Sequence, residues 1–215
     1  MGNLGTVSLG QSGGRRVPPT RVCFDTPMKI ENTPVAVRRR TEDDLGACVR
    51  LLREVHEHDG YPVSWPERPA SWITPPTFLG AWVAELDGRV VGHAGLAGPR
   101  PGDGAPVQWS LRTGAGVEAT AMVNRLYVSP SARGHGIGAL LLAKAVEAAR
   151  EHGLHPVLDV AAHDAAATAL YERLGWELLA TVGQEWGPHG LVAVRTYAAP
   201  SGVSPRPAPA AARSS

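Results

Sequence analysis

At 215 residues and 43% hydrophobic, the chain is long enough for one ordinary domain with a packed core. A net charge of +1 lacks the clustered positive charge that a nucleic acid or an anionic lipid surface requires, and no apolar run reaches the length of a membrane span, so neither partner is expected. Cys23 and Cys48 supply neither a disulfide framework nor a metal set, which points to a cytoplasmic, reducing compartment and to no bound metal.

Residues 1–33 are Gly, Pro, Arg, Ser and Thr with little apolar periodicity, and residues 199–215 are mostly Pro, Ala and Ser. Neither buries enough surface to offset ordering entropy, so both are read as disordered tails around a domain at 34–198. Pro34–Arg40 reads as a first strand. Thr41 with Asp44 three residues on makes a capping-box-like start to a helix whose inner face carries Leu45, Cys48, Val49, Leu52 and Val55, up to Gly60. His56 and His58, two apart, would diverge on that helix, so a solvated helix end is expected rather than a ligand pair. Tyr61–Leu79 is broken by prolines and rich in tryptophan; it either plugs the core edge or lines a pocket. Gly80–Leu86 and Arg89–Leu96, joined by Asp87-Gly88, predict a hairpin. His93 within it is read as a satisfied sheet histidine, with a catalytic base as the alternative. Gly98–Gly116 is expected to be a connection with a poorly formed strand near Val107–Leu111.

The chain is organised around Met122–Arg150. Met122–Val128 is β-branched, aromatic and apolar, as a buried strand requires, and Ser129-Pro130 ends it. Arg133-Gly134-His135-Gly136-Ile137-Gly138 is a glycine-rich turn feeding a helix over Ile137–His152, with Leu141, Ala145 and Ala148 on its inner face. Strand, glycine turn and helix together aim free backbone N–H groups and the positive helix end at one place, which is an anion site. Arg133 adds a cation whose fork suits phosphate oxygens. Neither the Walker pattern nor G-x-G-x-x-G is met. His155–Val160 is a further strand, followed by a helix capped by Asp164, with Ala167, Leu170 and Leu174 inward. Trp176–Val182 and Leu191–Tyr197 are the last strands, flanking a loop with Trp186 and His189. The element order predicts an α/β (α+β) domain: a mixed, mostly antiparallel sheet with helices on both faces and one central parallel β-α-β crossover.

The run Arg133, Gly136, Gly138 resembles the acetyl-CoA pyrophosphate loop Q/R-x-x-G-x-G/A of the GCN5-related N-acetyltransferase (GNAT) superfamily. Asp164–Tyr171 with Gly175-Trp176 is similar to that superfamily's second block, N-x-x-A-x-x-L-Y-x-x-x-G-F. The resemblance spans roughly residues 34–197. It implies acetyl-CoA as co-substrate, held by Leu126, Tyr127 and Val128 of the central strand, by Arg133, Gly134, His135, Gly136, Ile137, Gly138 and Ala139 of the loop, and by Asp164. It implies Tyr171 as the acid that protonates departing CoA, and a backbone N–H near Leu126 facing the thioester oxygen. Two departures stand out: Asp164 replaces the usual Asn, and Asn124 replaces a frequent Glu. Glu85, His93, Glu118, His163 or a water chain are candidates for removing the amine's proton. The acceptor is expected to be a small-molecule or protein amine, and the protein a monomer or homodimer. A non-catalytic acyl-CoA sensor of the same fold is the alternative.

Overall fold

The computed structural model describes residues 34–186 and 190–201. The expected tail at 1–33, the expected tail beyond residue 201, and His189 lie outside the described residues. Among those described, the chain forms seven strands and five helices. In order these are β1 (Ala36–Arg39), α1 (Leu45–Asp59), α2 (Pro69–Trp72), β2 (Phe78–Leu86), β3 (Arg89–Ala97), α3 (Gly104–Thr113), β4 (Thr120–Val128), α4 (Ile137–Glu151), β5 (His155–Ala161), α5 (Ala165–Arg173), β6 (Glu177–Glu185) and β7 (Leu191–Ala198). The strands form one sheet in the order β1-β2-β3-β4-β5-β7-β6. Its pairs are antiparallel except β4 with β5, the expected crossover through α4.

Alternation along the strands sorts the core onto two faces. On one, Cys48, Leu51, Leu52 and Val55 of α1 pack on Val83 and Tyr127. On the other, Ile137, Leu141, Leu142 and Ala145 of α4 pack on Ala84, Ala94, Leu96 and Val123, with Tyr171 of α5 in the same cluster. Each fully buried leucine here contributes about 2 kcal/mol, so α1 and α4 are held by packing more than by capping. Asp44 is the residue before α1. Its carboxylate accepts from the Thr41 N–H at 2.7 Å, the backward half of a capping box, and is held by the Arg38 fork at 2.7 and 2.8 Å. The β2–β3 turn is Asp87-Gly88 as expected, with φ of 52° and 71° at its two residues.

Three expectations are corrected. Val107–Leu111 is not a strand but part of α3, with Val107 and Leu111 on its exposed side. The helix is fixed from elsewhere in the chain: the Asp159 carboxylate on β5 accepts from the Gly104 and Ala105 N–H groups at 2.7 and 2.8 Å, and Trp109 stacks on His155 with ring centroids 5.1 Å apart. In α5, Ala167 and Leu170 pack against the core as expected, beside the buried Thr168 and Tyr171, but Leu174 is exposed rather than inward. The packed chain also continues past residue 198. Ala199 is buried, its N–H donates to Pro156 O at 2.9 Å, and Arg150 donates to Pro200 O at 2.7 Å. No described helix is long and apolar enough to cross a membrane.

Candidate active site

β4 and β5 start side by side and then part. Their ladder holds Thr120 with His155, Ala121 with Pro156 and Met122 with Val157, and no pair beyond these. The cause on β4 is a bulge. Its register against β3 slips between His93–Tyr127 and Gly95–Asn124, so Arg125 and Leu126 oppose Ala94 alone, and Arg125 has φ of +49°. β5 meanwhile pairs from Val157 to Ala161 with β7. Past Met122, the β5-facing backbone of β4, including Leu126, Tyr127 and Val128, therefore has no strand partner. Such backbone inside a fold needs hydrogen-bonding partners, and an extended amide-bearing ligand supplies them.

The opening leads to the glycine loop. Gly134 and Gly136 have φ of +82° and +75°, and no heavy atom lies within 4 Å of where a Cβ would stand on either. Only glycine takes this backbone without strain, and the space it leaves lets an anion reach the main chain. Gly136 caps α4, no side chain bonds to that helix's first N–H groups, and those of Ile137, Gly138 and Ala139 are left for a ligand. The Ile137 side chain is buried in the core, so its backbone alone serves the site. A Cβ on Gly138 would stand 3.2 Å from Leu170 Cδ2, so α5 closes onto the first turn of α4, bringing Tyr171 toward it.

Tyr171 is 6% exposed and packs between Trp176 and Tyr197, with centroids 5.9 and 5.8 Å away. Burial pushes its phenol well above the ordinary tyrosine range, with Tyr61 and Asp164 adding to the rise. The hydroxyl makes no hydrogen bond among the described residues.

Residues 46–176, well over half of the chain, match the model of the Acetyltransferase (GNAT) family. The chain belongs to the GNAT family. It is 30% identical over 149 residues to YjgM of Escherichia coli K12, an uncharacterized N-acetyltransferase, covering 66% of this chain and 81% of that protein. It is 26% identical over 162 residues to MJ1207 of Methanocaldococcus jannaschii, another uncharacterized N-acetyltransferase, covering 72% and 67%. Among solved structures, a ribosomal-protein-alanine N-acetyltransferase from Brucella melitensis aligns with a TM-score of 0.58 at 28% identity, covering 76% of this chain and 98% of that one. The Salmonella typhimurium acetyltransferase yncA, solved with acetyl-CoA, shares the fold at a TM-score of 0.57 and 20% identity, covering 80% and 98%.

In this GNAT domain, several expected site residues are placed differently from what their side chains suggest. The Arg133 fork is not turned to the opening. It pairs with Asp59 at the end of α1, with Nη1 to Oδ1 at 3.1 Å and Nη2 to Oδ2, and it also donates to Val128 O at 3.3 Å. The pair raises the arginine's pKa and lowers the aspartate's. Arg133 thus ties the loop to α1, and the loop offers an anion its backbone. The exposed His135 does similar work, its Nδ1 donating to Arg133 O at 2.9 Å. Asp164 Oδ1 accepts from the Ala167 N–H at 2.9 Å, so this carboxylate caps α5. Tyr127 turns its ring to the α1 face, where its hydroxyl donates to Cys48 O at 3.3 Å. Only its backbone faces the β4–β5 opening.

Two of the base candidates are engaged elsewhere. Glu85 is held by Arg38 at 2.6 Å. His93 is fully buried, with Nδ1 2.9 Å from Arg125 O and Nε2 3.1 Å from Arg40 Nη1. A carbonyl on one side and a guanidinium on the other require a neutral ring that donates through Nδ1 and accepts at Nε2. It is the satisfied sheet histidine, and it braces the bulge. Burial pulls its pKa down to about 4, opposed by the Arg125 carbonyl and helped by the Arg40 and Arg125 charges. In the unfolded chain it titrates near 6.5. Its contribution to stability is therefore complete above about pH 6.5 and is lost as pH falls toward 4, by about 3 kcal/mol in all. An NMR titration is expected to find His93 uncharged at pH 5; a midpoint near 6.5 would contradict this placement.

The sequence pattern does not mark Arg125, whereas Tyr61 and Trp72 belong to the segment expected either to plug the core edge or to line a pocket. A charged residue in the middle of an apolar central strand was the available signal for Arg125. Trp72 and Phe78 lie beneath its guanidinium, at 4.7 and 5.7 Å, and Tyr61 meets Trp72 edge-on at 6.1 Å. The Pro-broken segment packs on α1 through Tyr61, Trp65, Trp72 and Ile73.

Proposed function

We propose that the protein transfers an acetyl group from acetyl-CoA to the nitrogen of an amine by direct attack on the thioester. The observation that carries this is the parting of β4 from β5 beside the open N-terminus of α4, which joins a backbone edge suited to an amide-bearing arm with an anion site suited to a pyrophosphate. The yncA neighbour solved with acetyl-CoA supports the same reading. When bound, acetyl-CoA supplies an activated acetyl group and a good leaving group.

The chain's own residues do the rest. Backbone groups of Leu126 to Val128 pair with the pantetheine arm, and those of Gly134 to Ala139 receive the pyrophosphate. The Leu126 N–H faces the thioester oxygen and stabilises the charge that grows there, the kind of preorganised donor that is worth about 3 kcal/mol. Tyr171 delivers its proton to sulfur as the C–S bond breaks. A phenol with a raised pKa is a poor acid in water, but the same apolar surroundings also raise the proton affinity of a thiolate formed beside it. With Glu85 and His93 engaged, the exposed Glu118, the exposed His163 or solvent takes the amine's proton. The acceptor is a small-molecule or protein amine, and the setting is cytoplasmic.

The test is thiol release from acetyl-CoA against a panel of amines. Release that depends on the amine is expected. Binding of acetyl-CoA without release in the presence of any amine would instead favour a non-catalytic sensor, in which Asp164 and Asn124 mark lost function.

A further inference from the structure

Arg125 has no part in that chemistry, and its setting is unusual for a buried cation. It is 7% exposed, sits in the β4 bulge directly before Leu126, and forms no salt bridge among the described residues. Its Nε donates to Trp72 O and its Nη1 to Asn124 Oδ1 at 2.9 Å. Those bonds use two of the five N–H donors of a guanidinium. Nη2 makes none. Burial lowers the Arg125 pKa to about 10, which leaves it charged at neutral pH. Asp103, the acid whose charge reaches Arg125, accepts from the Arg100 N–H at 2.7 Å and makes no ion pair with Arg125. A desolvated cation with no ion-pair partner and no bond from Nη2 among the described residues is arranged for an anion that arrives with the ligand.

We infer that Arg125 binds a carboxylate of the acceptor, so that the acceptor is a small amino acid. The inference rests on the N-acetyltransferase reading. Leu126, the next residue, faces the reacting carbonyl in that reading, so acid and amine must lie close together in one small molecule. The rings of Trp72, Phe78 and Tyr61 give its apolar part a surface to pack on. A polyamine would bring like charge to Arg125, and a peptide N-terminus has no free α-carboxylate beside its amine.

The test compares L-leucine and L-phenylalanine with isopentylamine and phenethylamine, which lack only the carboxylate. The wild-type enzyme is expected to favour the acids in kcat/KM by about 10- to 100-fold, the worth of a charge-assisted hydrogen-bonded pair. Arg125→Gln should raise KM for the acids by that factor and leave the simple amines and the calorimetric affinity for acetyl-CoA unchanged. Arg125→Lys should keep part of the preference. A purely structural role would instead lower acids and amines alike, and equal use of both by the wild type overturns the inference. Should no compound release thiol, the acetyltransferase reading fails, and binding decides the inference separately. With CoA present, N-acetyl-L-leucine should raise the wild-type melting temperature more than N-isopentylacetamide does, and Arg125→Gln should erase the difference. No preference for the acid overturns it.

Discussion

Replacing Tyr171 by phenylalanine will lower turnover by about 10²–10⁴, the usual worth of a positioned general acid. The change removes one hydroxyl from a ring that otherwise keeps its packing against Trp176 and Tyr197. That hydroxyl has no partner among the described residues, so its loss orphans no donor or acceptor in the fold. Stability and acetyl-CoA affinity should stay close to wild type. The loss should fall on kcat rather than KM, because the proton moves as the C–S bond breaks and not in the bound complex. Unchanged turnover with the best acceptor would assign the proton to water and remove Tyr171 from the mechanism.

Replacing Gly136 by valine should abolish acetyl-CoA binding. At φ of +75°, a side chain with a branched Cβ is strained, at a cost of about 1–2 kcal/mol or more. No neighbour lies within 4 Å of the new Cβ, so the strain stays local and the fold survives. The consequence falls on the ligand. The Cβ projects into the space through which a pyrophosphate reaches the first amides of α4, and the backbone that aims those amides relaxes toward negative φ. Calorimetry on a variant with wild-type circular dichroism is the check. Retained affinity would mean that the loop is not the anion site.

These effects concentrate where the sequence was most legible. The glycine turn, the apolar spacing of α4 and the Asp164 cap of α5 are local patterns, written within a few residues of the structure they make. The segment that becomes α3 is different. Its helix is fixed by Asp159, whose carboxylate arrives only when β5 is in place, so Val107–Leu111 alone carries no sign of it. The Arg133 side chain misleads for the same reason. Its fork matches phosphate in isolation, but the end of α1 presents Asp59 to it first. Arg125 could not be read from spacing because its role comes from a slip in the β3–β4 register, a property of two strands together. His93 shows the opposite case. A histidine flanked by apolar and small residues in a strand is most simply a bonded core group, and the structure supplies both partners.

In the proposed reaction this GNAT protein passes acetyl directly from bound acetyl-CoA to an amine. The most direct measurement is a single turnover with protein in excess over acetyl-CoA, following free thiol with and without acceptor. Direct transfer predicts that no thiol appears until the amine is added, and that one equivalent then appears together with one equivalent of acetylated amine. A full equivalent of thiol released before any amine is present would mean that acetyl is first parked on the protein, and would contradict the account.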